Sequence, residues 1–429
     1  MSKGKKKQRG GQHRKHERAE QKENFFGKIK SICSAVGNPE AYHLIQRDQL
    51  EILYRLRGLP FKIVAAPGEQ IPGEVLRRIR FLFPESLKQE KVPLLKNGPE
   101  ISLAEFLSAA AQFRLYLLNL EGNQFHTAGC LKKALDAFAS FEEGAKAVRD
   151  RMLFIMAILG YGITDLNSRV YWLEWKMTLR RYDPFGYENF VLLHSYIPEK
   201  KYFTFDNAQR PAAKACWSLP MSTKIECSTV EPAVLGLPTG SFDHPLDVYI
   251  QSHALKRLSE RIDCVIAEIL NLELYFAMTQ IKARREKDGS ILIEYTLKGT
   301  KAGYFVADIQ ENTIVVRTFL FVTNGGTPEG KRLHEICGLG RFDREFLAID
   351  KLSTFMATDI KSDKELEKLF LEAGCGCLIE LHDKVAILNT KEDMASAMPL
   401  LKKYFGVDSR WDFLMPDSLE KFRRKFEGE

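Results

Sequence analysis

Residues 291–323 hold three runs of alternating character, Ile291–Leu297, Gly303–Ile309 and Ile314–Thr323. Only Lys298-Gly299-Thr300 and Gln310-Glu311-Asn312 punctuate them as turns. Side chains that alternate between two faces, joined by turns this short, predict an antiparallel meander. Helical spacing of apolar residues precedes it and predicts one long helix over about 250–270. Thr327-Pro328-Glu329 then opens another helix, with proline at its favoured first position. The stretch 248–335 therefore reads as a module of helix plus antiparallel sheet.

The rest of the chain arranges itself around this module. Residues 1–24 are polar and rich in Lys, Gln and Gly, a composition that predicts a disordered basic tail. Phe25, Phe26, Ile29 and Ile32 begin a helical pattern, and residues 25–182 read as a mainly α-helical domain. Within it, Ser102-Leu103-Ala104-Glu105 has the form of a capping box. The spacing of Trp172, Trp175 and Leu179 predicts a helix over 168–182. Seven prolines, from Pro184 to Pro245, make 183–247 an extended connector with a few short strands. Residues 336–429 read as an α/β segment. Its expected strands are Cys377–Leu381 and Val385–Leu388, with helices at 363–373, 392–404 and 416–427. The class is α+β.

Charge is unevenly spread. Residues 1–24 hold nine Lys and Arg against three Glu, a surplus of six, so the remainder carries only +1 of the total +7. An argument from charge to nucleic acid thus passes through Lys3, Lys5, Lys6, Lys7, Arg9, Arg14 and Lys15, or through a local patch. Solvation alone is the competing use of such a tail. The eight cysteines include no Cys-x-x-Cys pair, and Gly374-Cys375-Gly376-Cys377 is too tight for an ordinary zinc knuckle. Reduced thiols and a cytoplasmic setting are expected, with neither metal nor cofactor. No apolar segment follows the basic N-terminus as a secretory signal would require. The longest apolar run, Met152–Ile163, is too short to cross a bilayer and predicts a buried helix.

The candidate chemistry lies on the predicted helix. His253, Arg257 and Arg261 fall one turn apart, with the arginines about 40° and 80° round from the histidine. Leu255, Leu258, Ile262, Val265, Ile266 and Ile269 form the opposing core stripe. An imidazole beside two guanidiniums can handle a phosphodiester. His253 would act as base, while Arg257 disfavours the protonated ring. Arg257 and Arg261 would clamp phosphate oxygens. Lys298, Lys301, Arg317 or Thr318 would complete the site if the meander crosses the helix. The opposing reading is a solvated helix face, with Lys256 and Arg257 each within one turn of Glu260.

Ser252-His253-Ala254, then Arg257, Arg261 and Ile262, followed by a meander ending Val315-Val316-Arg317-Thr318-Phe319-Leu320, resembles the RelE-like and barnase–EndoU-like toxin ribonucleases. That resemblance covers about residues 248–323. It implies a helix packed on a curved antiparallel sheet and metal-independent RNA cleavage, with His253, Arg257, Arg261 and, more weakly, Thr318 as site residues. It also implies RNA as substrate and a protein partner such as an antitoxin. The sequence departs from the pattern in its long connection, Leu270–Gly289, and in embedding the unit within a large chain. A non-enzymatic interaction or RNA-binding protein that uses the module structurally is the alternative.

Asn324-Gly325-Gly326-Thr327-Pro328-Glu329-Gly330-Lys331 is glycine-rich before a helix but lacks Walker spacing, so a plain strand-to-helix turn is the stronger reading. His194, His334 and His382 stand alone in sequence. Neither a Gly-x-Ser-x-Gly nor a His-Glu-x-x-His motif occurs, which argues against the common hydrolases and zincins.

Overall fold

In a computed structural model the chain is α+β, and the structure describes residues 3–120, 125–141, 143–180, 183–218, 225–238, 242 and 244–385. Among these, residues 3–159 with 172–194 form one compact unit, and 160–171 with 195–218 and 225–385 form a second. No helix of the described residues is long and apolar enough to cross a membrane.

The first unit begins with helix α1 (Lys3–Ala35). The expectation of a disordered tail is corrected here: 3–24 continue the helix whose later turns bury Phe25, Phe26, Ile29 and Ile32. Lys, Gln, Arg and Glu are good helix formers, so a docked C-terminal part propagates the helix backward at little cost. Helices α2 (Arg47–Leu56) and α3 (Gly73–Gln89) follow. Ser102 caps the next turn as predicted, with Glu105 returning the bond to its backbone. Met152, Ile155 and Ile158 of α4 (Glu143–Ile163) are buried, as their apolar run implied.

The helix predicted over 168–182 is instead a strand. Strand β1 (Lys62–Ala65), β2 (Val170–Arg180) and β3 (Asp183–Tyr196) form a three-stranded sheet with β3 central. Val170, Tyr171, Trp172, Trp175 and Thr178 suit a pleated surface, and that preference prevails over the three- and four-residue spacing.

In the second unit the supposed connector supplies much of one large sheet. Strands β4 (Lys200–Phe205), β5 (Ala208–Lys214) and β6 (Leu246–Gln251) come from it. Strands β7 (Ala283–Arg285), β8 (Ile291–Leu297), β9 (Thr300–Gln310) and β10 (Thr313–Phe321) follow. The order is β7-β8-β9-β10-β6-β5-β4, and a short strand, Thr229–Val230, adds to β6. Prolines proved a poor guide because Pro211 sits just outside the β5–β6 ladder, which ends at Ala212 opposite Gln251. Its missing N–H removes no bond from that ladder.

The meander is where the sequence placed it, and its turns explain why. Lys298-Gly299, Glu311-Asn312 and Asp206-Asn207 all have positive φ at both positions. That is the two-residue hairpin whose twist matches the flanking strands. Tyr295, Phe305 and Phe319 pack on one face with ring centroids 5.2–5.6 Å apart.

The single long helix is corrected to two, α5 (Ser252–Arg261) and α6 (Ala267–Thr279). At the break, the Asp263 carboxylate accepts bonds from the Ser353 backbone and hydroxyl, at 3.0 and 2.8 Å. Helices α7 (Pro328–Cys337), α8 (Arg341–Phe346), α9 (Lys364–Glu372) and α10 (Gly376–Val385) follow. The strands expected at 377–381 and from 385 are therefore replaced by α10 as far as residue 385. Leu378, Leu381 and Val385 are buried at helical spacing, and short apolar runs do not distinguish the two periods. The helices expected at 392–404 and 416–427 lie outside the described residues. Cys216 and Cys227 face each other across an antiparallel pair and form a disulfide, which corrects the expectation of uniformly reduced thiols.

Candidate functional site

The helix α5 carrying His253, Arg257 and Arg261 runs directly out of β6, and Gln251 is the residue before its first turn. Ala254 and Leu258 face the core, which leaves His253 exposed on the flank, as the helical wheel implied. Partial desolvation of the exposed ring, and then the charge of Arg257, lower the His253 pKa below its ordinary 6.5; Arg210 of β5 and Lys256 add to this, while Glu260 opposes it. Together these neighbours favour the unprotonated imidazole.

The unfolded chain holds the His253 proton more tightly, so this group costs stability as pH falls through 6.5 toward the folded value. Replacement of Arg257 by Ala is expected to raise the His253 midpoint toward 6.5. An NMR titration of the imidazole reads this directly, and an unchanged midpoint would remove Arg257 from the site.

The arginines are engaged elsewhere. Arg257 Nη1 donates to Glu260 Oε2 at 2.7 Å, and Lys256 lies 3.8 Å from the same carboxylate. Arg261 is held in an ion pair with Asp350, with side chains 13% and 1% exposed. Both guanidiniums thus have acidic partners, and no hydrogen bond among the described residues joins either to His253. Thr318 stands on β10 opposite Val306, and no hydrogen bond among the described residues joins it to His253, Arg257 or Arg261. The other candidates are also committed. Lys298 Nζ donates to the Lys384 carbonyl at 3.3 Å. Arg317 pairs with Asp308 at 2.7 Å and lies over the Phe205 ring. Of the basic tail, Lys3, Lys5, Lys6, Lys7, Arg9, Arg14 and Lys15 lie on the α1 backbone.

The glycine-rich loop before α7 is the plain turn the sequence favoured. Thr327 caps the helix by accepting from the Gly330 N–H at 2.9 Å. Nor are the lone histidines isolated in space. His194 lies 2.8 Å from Glu174 and stacks on Trp172 at 5.0 Å, while His334 meets the Leu339 carbonyl at 2.9 Å.

A different constellation does converge. Lys301 of β9, Tyr304 of the same strand and Glu329 of α7 line a cleft of about 550 Å³, with Lys282, Arg284 and Arg332 around it. Glu329 Oε1 accepts from Lys301 Nζ at 2.5 Å and from the Tyr304 hydroxyl at 3.0 Å. Burial pulls the Lys301 pKa down, but the bonds to Glu329 and Tyr304 outweigh it and hold the ammonium above its usual value. Burial pushes the Tyr304 phenol up to about 12, so it stays protonated and donates. None of His253, Arg257, Arg261 and Thr318 lines this cleft. The sequence carried one hint of it, Lys301 on the meander. Glu329 read only as an early residue of a helix.

Compared with known protein families, with curated proteins and with solved structures, the chain matches none.

Proposed function

We propose that this is an RNA-directed binding protein. Its helix-and-meander module is a scaffold, and its basic N-terminal segment supplies the contact with phosphate. The observation that carries this reading is the concentration of charge: residues 1–24 hold a surplus of six positive charges, against +1 for all the rest. The commitment of Arg257 to Glu260 and of Arg261 to Asp350 supports the scaffold role. If about four cations of the segment contact a single strand, affinity falls roughly fiftyfold between 50 and 200 mM salt. Fluorescence anisotropy with a labelled single-stranded RNA measures this. Reversal of Lys3, Lys5, Lys6 and Lys7 to Glu should flatten the salt dependence. Unchanged affinity in that variant would refute the assignment.

A second reading, a metal-independent ribonuclease of the toxin type, is favoured by one observation: His253 is exposed, and its cationic neighbours favour the unprotonated ring that a base needs. Incubation with labelled RNA in EDTA separates the two. Cleavage lost in both His253→Ala and Arg257→Ala supports catalysis; binding without cleavage supports the scaffold.

A further inference from the structure

We propose that the cleft formed by Lys301, Tyr304, Glu329 and Arg332 binds a small sugar phosphate. This inference is independent of the RNA reading. A volume of about 550 Å³ lies within the range of small-molecule sites. Four cations line it, Lys282, Arg284, Lys301 and Arg332, against the two acids Glu294 and Glu329. Arg284 is engaged by Glu286 at 2.8 Å, and Lys301 by Glu329. Lys282 and Arg332 are exposed, and neither side chain has a hydrogen-bond or ion-pair partner among the described residues. Two unengaged cations at the mouth of a cleft suit a phosphate, and a guanidinium can hold two of its oxygens.

The interior asks for something else. Glu329 is 7% exposed, and its second oxygen, Oε2, is buried without a hydrogen-bond donor among the described residues. A carboxylate oxygen in that state lacks the compensation that burial requires, so a ligand that brings a donor is favoured. Inorganic phosphate, as HPO4²⁻, carries its one donor on the anion itself, so giving it to Glu329 would set two negative charges side by side. A phosphate joined to hydroxyl groups meets both demands. Its anionic end takes Arg332 and Lys282, and a hydroxyl donates to Glu329. The charged and hydrogen-bonding groups lining the cleft favour a polyhydroxylated ligand over an apolar one.

The test is calorimetric titration of the full chain with ribose 5-phosphate and glucose 6-phosphate, beside ribose and inorganic phosphate. At least one sugar phosphate should bind about tenfold or more tightly than either fragment. Arg332→Ala should weaken that binding by about tenfold or more, the usual consequence of losing a charge-assisted bond. Glu329→Gln should narrow the preference over inorganic phosphate. Should Glu329→Gln fail to fold, Arg332→Ala decides, because its side chain is exposed and makes no hydrogen bond or ion pair among the described residues. The proposal is overturned by absence of saturable binding, by equal affinity for inorganic phosphate, or by an Arg332→Ala protein that binds unchanged.

Discussion

Replacement of Asp350 by Ala should destabilise the second unit by about 3–5 kcal/mol, because it strands the Arg261 guanidinium in a site built for its partner. Asp350 is 1% exposed and Arg261 only 13%, so water cannot substitute for the lost carboxylate. The pair itself is a different matter. Two charges taken out of water lose hydration that their attraction only partly returns, so joint replacement by apolar residues of similar size is often tolerated. The double variant Arg261→Met with Asp350→Leu should therefore recover most of the loss. Denaturant unfolding of the full chain measures both. A single variant within about 0.5 kcal/mol of the parent, the range of ordinary surface changes, would mean that Arg261 is not held by Asp350. It would then be free for the phosphate role that its position on the helix suggests.

Gly330→Ala is the second large effect. A Cβ at this position would lie 1.9 Å from the Asn324 carbonyl oxygen and 2.7 Å from that of Thr323. Both neighbours are backbone, so the loop and the start of α7 must separate. Overpacking of this kind costs about 1–3 kcal/mol and can exceed it where the backbone cannot yield. Gly338, at the other end of α7, is the control. Its φ is +69° and nothing stands near its Cβ, so only conformational strain remains, about 1 kcal/mol. Thermal unfolding should rank the two variants in that order, and the reverse ranking would mean that the loop is not packed against the helix. Because Glu329 precedes Gly330, the first variant should also disturb the Lys301–Glu329–Tyr304 contacts, which the second leaves in place.

The local features were legible wherever a few adjacent residues determine the outcome. The hairpins at Lys298-Gly299 and Glu311-Asn312, the capping box at Ser102 and Glu105, and Pro328 at the head of α7 are all of this kind. Spacing failed where one pattern serves two periods. Residues 172, 175 and 179 fit a helix, yet their β-branched and aromatic neighbours pair as a strand. It failed again at residues 262–266, where the helix breaks and Asp263 bonds to Ser353, ninety positions along the chain. The partner of Arg261 was hidden for the same reason. The helical wheel correctly set the His253–Arg261 stripe beside the core stripe, but the partner that claims Arg261 is Asp350, distant in sequence. The Lys301–Glu329 contact likewise joins a strand to a later helix, and no spacing rule within either element anticipates it.

Strands β6 and β10 are parallel neighbours, with Val248 beside Ile314 and Ile250 beside Val316, although more than sixty residues separate them. During synthesis β4, β5 and β6 leave the ribosome first and wait with one border unsatisfied. Two helices and three strands must emerge before β10 arrives to close it. Long-range pairing of this sort slows assembly and prolongs the life of an adhesive intermediate. A ribosome that stalls between residues 252 and 312 would thus leave a nascent chain prone to self-association.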